Sequence, residues 1–506
     1  MRSKKTLINI ASVWGGQAMI IVVNMIARKV FLQSLGSDYL GLNSLFTNIV
    51  GLLAVAELGF GSAIDYSLYK PLAEDDKESI KSLMRLYKKI YCTIGCIILF
   101  GGLLLVPWIP SLASGTEEIE NVRFIFMMFV FNTAVSYFFS YYTALITADQ
   151  KKYVYNIVHY VFQFLMYGMQ IVILLNSKNY YAYLLCQMAA TVFENLIMTV
   201  IAKRKYPYLQ QKNVKPISAD NLFSINKNVK ALILNKIGMS LVTSTDNILI
   251  SKLTNLSVVG IYGNYSTIVT AVRNAFWLGI TSFTASVGNQ LVKGTKKECI
   301  EIFYAVQLLG NWLYGWGTIC LFVLLTPFVR LWYGEYILAT TIVLMICVNL
   351  YLSGQRTVLQ SYISAAGMYH SIRYRAITEG ILNVILSVIL GKYFGLSGIF
   401  AGTLISGFLC GWIPETKVIT DELFDINEAE YIKIQIKNVI SVFAAGAVNV
   451  LVSGMNSNQG IVGFIVKIII CIFVPNVIII LFNCKNPAFH TCIRKVAGVF
   501  NRRKRN

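Results

Sequence analysis

Ten ionisable side chains stand inside long apolar stretches of this chain: Arg28, Glu57, Asp65, Glu194, Lys236, Asp246, Arg273, Arg356, Glu379 and Lys467. A charge at the centre of a bilayer costs about 2.5–3.5 kcal/mol even on lenient insertion scales, so such residues face a cavity or a partner. Arg28 and Asp65 lie near the ends of their stretches and could snorkel to an interface. Glu57 and Arg273 lie near the middle. They are expected to line one central cavity and to pair there when it is unoccupied, or to form a structural ion pair, or to be satisfied each within its own lobe. Asp246 and Asn247, beside Thr245, bring carboxylate, amide and hydroxyl oxygens together, a set suited to Na+ or H+. Glu379 could add a further oxygen, and the same cluster could equally be glue between helices. Tyr262 and Tyr265, with Tyr137, Tyr141 and Tyr142, pair apolar faces with hydroxyls, which suits either a sugar-lined path or packing. Cys92 and Cys96 are one helical turn apart, with no His or carboxylate at a metal-ligand spacing. No metal site, disulfide or resident cofactor is therefore expected, and coupling would be to a Na+ or H+ gradient.

The elements that must hold these groups are membrane helices. The chain is 56% hydrophobic and 13% charged, against about 25% charged for a soluble domain. Fourteen windows, from Leu7–Leu32 to Gly460–Phe482, reach the roughly 20 apolar residues a span needs. They include Leu40–Leu68, Val258–Gly288, Ile372–Phe394 and Leu396–Val418. Polar stretches such as Lys203–Asn228 and Thr416–Lys433 are too short to be catalytic domains. The net charge of +20 does not indicate nucleic acid, because Lys and Arg collect in alternate gaps between spans. By the positive-inside rule those gaps and both termini are cytoplasmic, and the tail Arg502–Arg505 suits anionic lipid.

Sliding the chain over itself by 219 residues superposes six helices on the next six: Asn9 falls on Asn228, Gly41 on Gly260, Ser67 on Ser286 and Tyr155 on Tyr374. The same shift sets Arg28 against Asn247, and sets Arg273 against Ala54, three residues before Glu57. Six is even, so both copies enter the membrane with the same orientation, a parallel repeat. The expected fold is all-α and polytopic, with about 14 transmembrane helices. Residues 1–215 and 216–420 form two six-helix lobes, and 421–506 form a two-helix extension with a basic tail. Two such lobes favour a transporter working by alternating access over a membrane enzyme. A polymerase or glycosyltransferase would call for a large outer loop with catalytic acids, and the outer gaps here are short.

At Leu35–Leu42 (LGSDYLGL), Glu57–Ala63 (ELGFGSA) and Ser67–Leu72 (SLYKPL), the sequence resembles the Wzx-type polysaccharide flippases of the multidrug/oligosaccharidyl-lipid/polysaccharide exporter superfamily. The resemblance covers essentially the whole chain. It implies two lobes around a cationic cavity, in the plasma membrane of a bacterium. The implied substrate is an oligosaccharide on undecaprenyl diphosphate, moved from the cytoplasmic to the outer face for capsule, O-antigen or exopolysaccharide synthesis. Arg273, Arg28 and Arg356 would then meet the diphosphate, since the arginine fork matches phosphate oxygens and stays charged. Membrane lipids, and polysaccharide polymerases or glycosyltransferases, are the implied partners. The competing readings on this fold are a lipid II-type flippase and a cation-coupled multidrug exporter.

Overall fold

The computed structural model describes residues 2–54, 60–113, 119–149, 151–211, 237–238, 240–242, 244–368, 370–455 and 460–491. Glu57 and Lys236 lie outside the described residues, as does the side chain of Asp65. Every regular element among the described residues is helical. An apolar chain in lipid requires this, because only bonds within a segment satisfy each N–H and C=O without water.

The main helices are α1 (Arg2–Leu53), α2 (Phe60–Ala73), α3 (Lys77–Leu105), α4 (Val122–Ala148), α5 (Lys152–Ser177), α6 (Tyr180–Lys205), α7 (244–253), α8 (Leu256–Thr281), α9 (Thr284–Lys293), α10 (Lys296–Tyr333), α11 (Thr340–Ala366), α12 (Arg375–Ser406), α13 (Glu428–Gly454) and α14 (Gly460–Asn483). Beyond Ser406, α12 continues through two π-turns, Gly407–Trp412 and Val418–Phe424, with Ile413–Lys417 between them.

Among the described residues ten stretches are long and apolar enough to cross a membrane; Arg375–Phe424 takes in nearly all of the predicted spans Ile372–Phe394 and Leu396–Val418, and Met19–Leu53 takes in parts of Leu7–Leu32 and Leu40–Leu68. Single glycines mark the divisions. Gly36 (φ +87°) breaks α1, and Gly395 (φ +57°) breaks α12 between the predicted spans Ile372–Phe394 and Leu396–Val418. The predicted span Val258–Gly288 is divided into α8 and α9. At that break Thr281 Oγ1 donates to Trp277 O (2.7 Å) and Ser282 Oγ to Gly279 O (2.6 Å). Such back-bonding bends helices.

Contacts group the chain into two compact units, Met1–Gly260 and Ile261–Asn506. In the first, α1 packs on α5, α3 on α4, and α6 on both α4 and α5. The start of α8 crosses α1 where Gly41 and Gly260 meet, the two residues equated by the 219-residue repeat. A Cβ on Gly41 would stand 1.9 Å from Leu256 O, and one on Gly260 would stand 2.3 Å from Ser37 O. Only glycine permits this approach, and the Ser37 and Ser257 hydroxyls share a 2.5 Å hydrogen bond beside it.

In the second unit α10 packs on α11, α13 and α14. An amide network stitches the first three: Gln307 Nε2 donates to Gln355 Oε1 (3.0 Å) and Gln435 Oε1 (3.4 Å), and Gln355 Nε2 donates to Asn311 Oδ1 (3.2 Å). The fourth is held through a proline. Pro475 inside α14 has no N–H for the carbonyl four residues back. That carbonyl, Cys471 O, accepts instead from Trp316 Nε1 of α10 at 2.9 Å and from the Cys320 thiol at 3.4 Å. Leaving such a buried acceptor short of a donor costs about 1–3 kcal/mol. Trp316→Phe is therefore expected to lower the melting temperature in lipid nanodiscs. Pro475→Ala, which restores an N–H, should shrink that loss in the double variant; equal losses in both backgrounds would contradict this account.

Candidate functional site

In the first unit a polar band runs along α1, α5 and α6. Arg28, on α1, donates from Nη2 to Gly260 O at 3.4 Å, and Asn24 Nδ2, a turn earlier, donates to the Tyr167 hydroxyl at 2.7 Å. Helix α6 contributes Gln187, Thr191, Glu194 and Asn195, spaced to share one side. Thr191 and Asn195 satisfy themselves on carbonyls one turn back, which leaves Glu194 to pair with His159 of α5 at 2.9 Å. The lipid-facing residues of α5, Ile157, Val161, Phe164 and Leu165, are exposed on the other side of that helix. Arg28 is thus a fixed cation of this band.

At the basic ends of these helices a strap, Tyr206–Gln211, is tied down. The Tyr206 hydroxyl donates to Asp149 Oδ2 at 2.5 Å, Lys151 also pairs with Asp149, and buried Lys81 donates to Gln211 Oε1 at 3.0 Å. Burial and the Asp149 carboxylate push the Tyr206 phenol well above its ordinary value, and Tyr208 is raised to about 12 by burial, Asp149 and Asp75. Both phenols therefore stay protonated, and Tyr206 remains a donor at any physiological pH.

The expected cation site lies on α7. Thr245 Oγ1 turns back to Leu241 O, and Asp246 and Asn247 each bury a side-chain oxygen. Glu379 lies in the second unit, where Arg356 holds it. Among the described residues no group of three His, Cys, Asp or Glu side chains is placed to hold a metal ion.

In the second unit, Arg273 is half-buried on α8, and no carboxylate among the described residues lies within ion-pair distance of it. Its expected partner Glu57 is outside the described residues. Tyr262 is half-buried with its ring 5.0 Å from that of Phe400. Tyr265 is 0% exposed, and its hydroxyl accepts from the Leu338 N–H at 3.1 Å. Its hydroxyl anchors the chain entering α11, so it is a packing residue.

Arg356 departs furthest from its expected place. Its guanidinium grips Glu379 as a fork, Nη1 to Oε1 at 2.6 Å and Nη2 to Oε2 at 2.7 Å. It also reaches Glu415, Nε to Oε2 at 3.2 Å and Nη2 to Oε1 at 3.3 Å. Arg375 pairs with the same Glu415, and Gln360 Nε2 donates to it at 2.8 Å. The quartet is neutral overall, and none of its side chains is more than 12% exposed. Two carboxylates already fill the Arg356 fork. Gly411 makes room: a Cβ there would sit 2.3 Å from the Arg356 Cζ. The π-turns on either side of Glu415 widen the helix where it meets the cluster. The links of Glu415 to Arg356 and Arg375, and of His159 to Glu194, escape sequence reading, because the partners stand 35 to 59 positions apart. The glycines Gly407 and Gly411, two turns and one turn before Glu415, are the only local signal.

Comparison with known proteins fits this geometry. Residues 6–283, more than half the chain, match the family described as polysaccharide biosynthesis protein. The fold is similar to that of the lipid II flippase MurJ in an inward closed conformation, with a TM-score of 0.69 at 11% identity over 94% of this chain and 99% of that one. It is also similar to an inward-facing multidrug resistance MATE family transporter of the MOP superfamily (TM-score 0.60, 15% identity, 78% and 93% covered). The MATE multidrug transporter DinF-BH gives a TM-score of 0.56 at 16% identity, with 83% and 97% covered. No curated protein matches the sequence significantly. A helical, membrane-spanning chain whose first unit carries the family's sequence and whose whole length carries this fold belongs to the polysaccharide biosynthesis protein family.

Proposed function

We propose that this protein is a flippase. It carries undecaprenyl-diphosphate-linked oligosaccharide units from the cytoplasmic to the outer face of a bacterial plasma membrane by alternating access, for envelope polysaccharide synthesis. The family match over residues 6–283 is the observation that carries this reading, and the fold shared with MurJ and MATE transporters supports it. Arg28 and Arg273 are the diphosphate contacts in this account. Arginine holds its charge at any relevant pH and offers two parallel donors to phosphate oxygens. Arg356 is left out, because Glu379 and Glu415 already occupy it. Asp246 and Asn247 are the oxygen donors for a coupling Na+ or H+, without Glu379. The termini lie on the cytoplasmic side, and polysaccharide polymerases and glycosyltransferases act on the same lipid-linked unit before and after it.

Native mass spectrometry of the purified full chain tests the headgroup directly. Undecaprenyl diphosphate is expected to bind at least about tenfold more tightly than undecaprenol, because each charge-assisted hydrogen bond contributes about 1.5–3 kcal/mol. Equal binding of the two lipids, with organic cations bound more tightly than either, would favour a multidrug exporter instead.

A further inference from the structure

We infer that His159 and Glu194 form a proton-binding site that sets the charge of the first unit's polar band and so links diphosphate binding to pH. The inference rests on the flippase reading for its ligand, but the proton site itself does not.

The chain has three histidines, His159, His370 and His490. Only His159 falls within one of the ten candidate spans. Histidine is the side chain that ordinarily changes charge between about pH 5 and 8. Its Nδ1 lies 2.9 Å from Glu194 Oε1, with side-chain exposures of 33% for His159 and 14% for Glu194. His159 stacks on Tyr155 (5.4 Å, 21°) and lies 5.7 Å from the Tyr160 ring. The half-buried imidazole sits away from the exposed apolar side of α5, so its access is through the polar band.

Among the described side chains, few other ionisable groups face the pair. Helix α5 supplies the phenols of Tyr155 and Tyr160, which as a class titrate near pH 10. Helix α6 supplies Glu194 itself, and its basic end, Lys203, Arg204 and Lys205, begins nine residues or about 14 Å further along. Helix α1 supplies Arg28, one turn beyond the Asn24 that bonds Tyr167 and so about 18 Å from His159 by helical rise. Of the tyrosines of α4, Tyr137 stacks on Tyr91 of α3, and Tyr141 and Tyr142 lie against each other.

The proton balance is simple. With a neutral imidazole the pair carries one negative charge. When the imidazole takes a proton, it becomes an imidazolium beside a carboxylate and the pair is neutral. No bond besides the N–H forms or breaks. A diphosphate near Arg28 meets one negative charge fewer in the protonated state. A unit charge at about 18 Å with an effective dielectric near 20 changes an affinity on the order of fivefold. By reciprocity, the bound diphosphate favours the proton to the same extent.

Two measurements on the full chain test this. The first is proton uptake by the purified protein on a step from about pH 8 to about pH 6, without lipid substrate. His159→Gln should take up about one proton fewer than wild type, and an equal uptake overturns the site. His159→Asn replaces it if the glutamine variant does not fold. The second is binding of undecaprenyl diphosphate at the same two pH values. Wild type should bind about three- to tenfold more tightly at the lower pH. His159→Gln should lose that dependence. Glu194→Gln should keep the dependence and bind more tightly than wild type at the higher pH, a result a purely structural pair would not give. If His159→Gln keeps the wild-type dependence, the linkage is wrong. If wild type binds no diphosphate lipid at either pH, the substrate reading and the linkage both fail, and the uptake measurement alone decides the proton site.

Discussion

Glu415→Gln is expected to lower the thermal stability of the protein more than any other conservative change, by about 3–5 kcal/mol. Glu415 is 0% exposed and accepts from Arg356, Arg375 and Gln360. Losing its charge turns a neutral quartet into one with a net buried positive charge. Breaking a buried pair in this way is far more damaging than never having built it. Arg375→Gln in the same chain restores neutrality, so the double variant should recover part of the loss. Thermal unfolding in nanodiscs measures both, and the coupling energy follows from the double-mutant cycle. A Glu415→Gln protein with an unchanged melting temperature would mean that the quartet is not formed in the membrane.

Arg273→Ala should act in the opposite way, on transport and not on stability. No carboxylate among the described residues lies within ion-pair distance of Arg273, so its removal leaves none of them buried without its cation. If it meets the diphosphate, its loss removes at least one charge-assisted contact and should slow flipping at least about tenfold. Arg273→Lys should recover only part, because an ammonium lacks the two-donor fork. Arg356→Ala provides the contrast: it should unfold the second unit before it says anything about substrate. An Arg273→Ala protein that flips at the wild-type rate would make this arginine structural as well.

Much of the fold is legible in the sequence because lipid leaves the backbone few choices. The predicted division between Ile372–Phe394 and Leu396–Val418 falls on Gly395, where the backbone turns left-handed. The extension fits too: Ile434–Ser453 and Gly460–Phe482 lie within α13 and α14. The split of Val258–Gly288 is not legible, since it depends on Thr281 and Ser282 hydroxyls turning back on their own helix, and hydropathy does not register this. The site is legible as a set of costly charges but not as a set of pairs. Residue type alone points Arg356 to a cavity and Glu379 to a cation site, and the structure joins them in one ion cluster. Glu415, which completes that cluster, sits in a segment where a carboxylate near a helix end looks ordinary. His159 and Glu194 are 35 positions apart on neighbouring helices, and no local pattern couples them.

The most direct measurement is flipping itself. The full chain would be reconstituted in liposomes holding an undecaprenyl-diphosphate oligosaccharide, and an impermeant lectin or glycosidase would read the sugar that appears on the other face. The account predicts exposure with wild-type protein, and at least about tenfold less with Arg273→Ala at an unchanged melting temperature. No exposure with correctly folded wild-type protein, together with export of organic cations from the same vesicles, would contradict it.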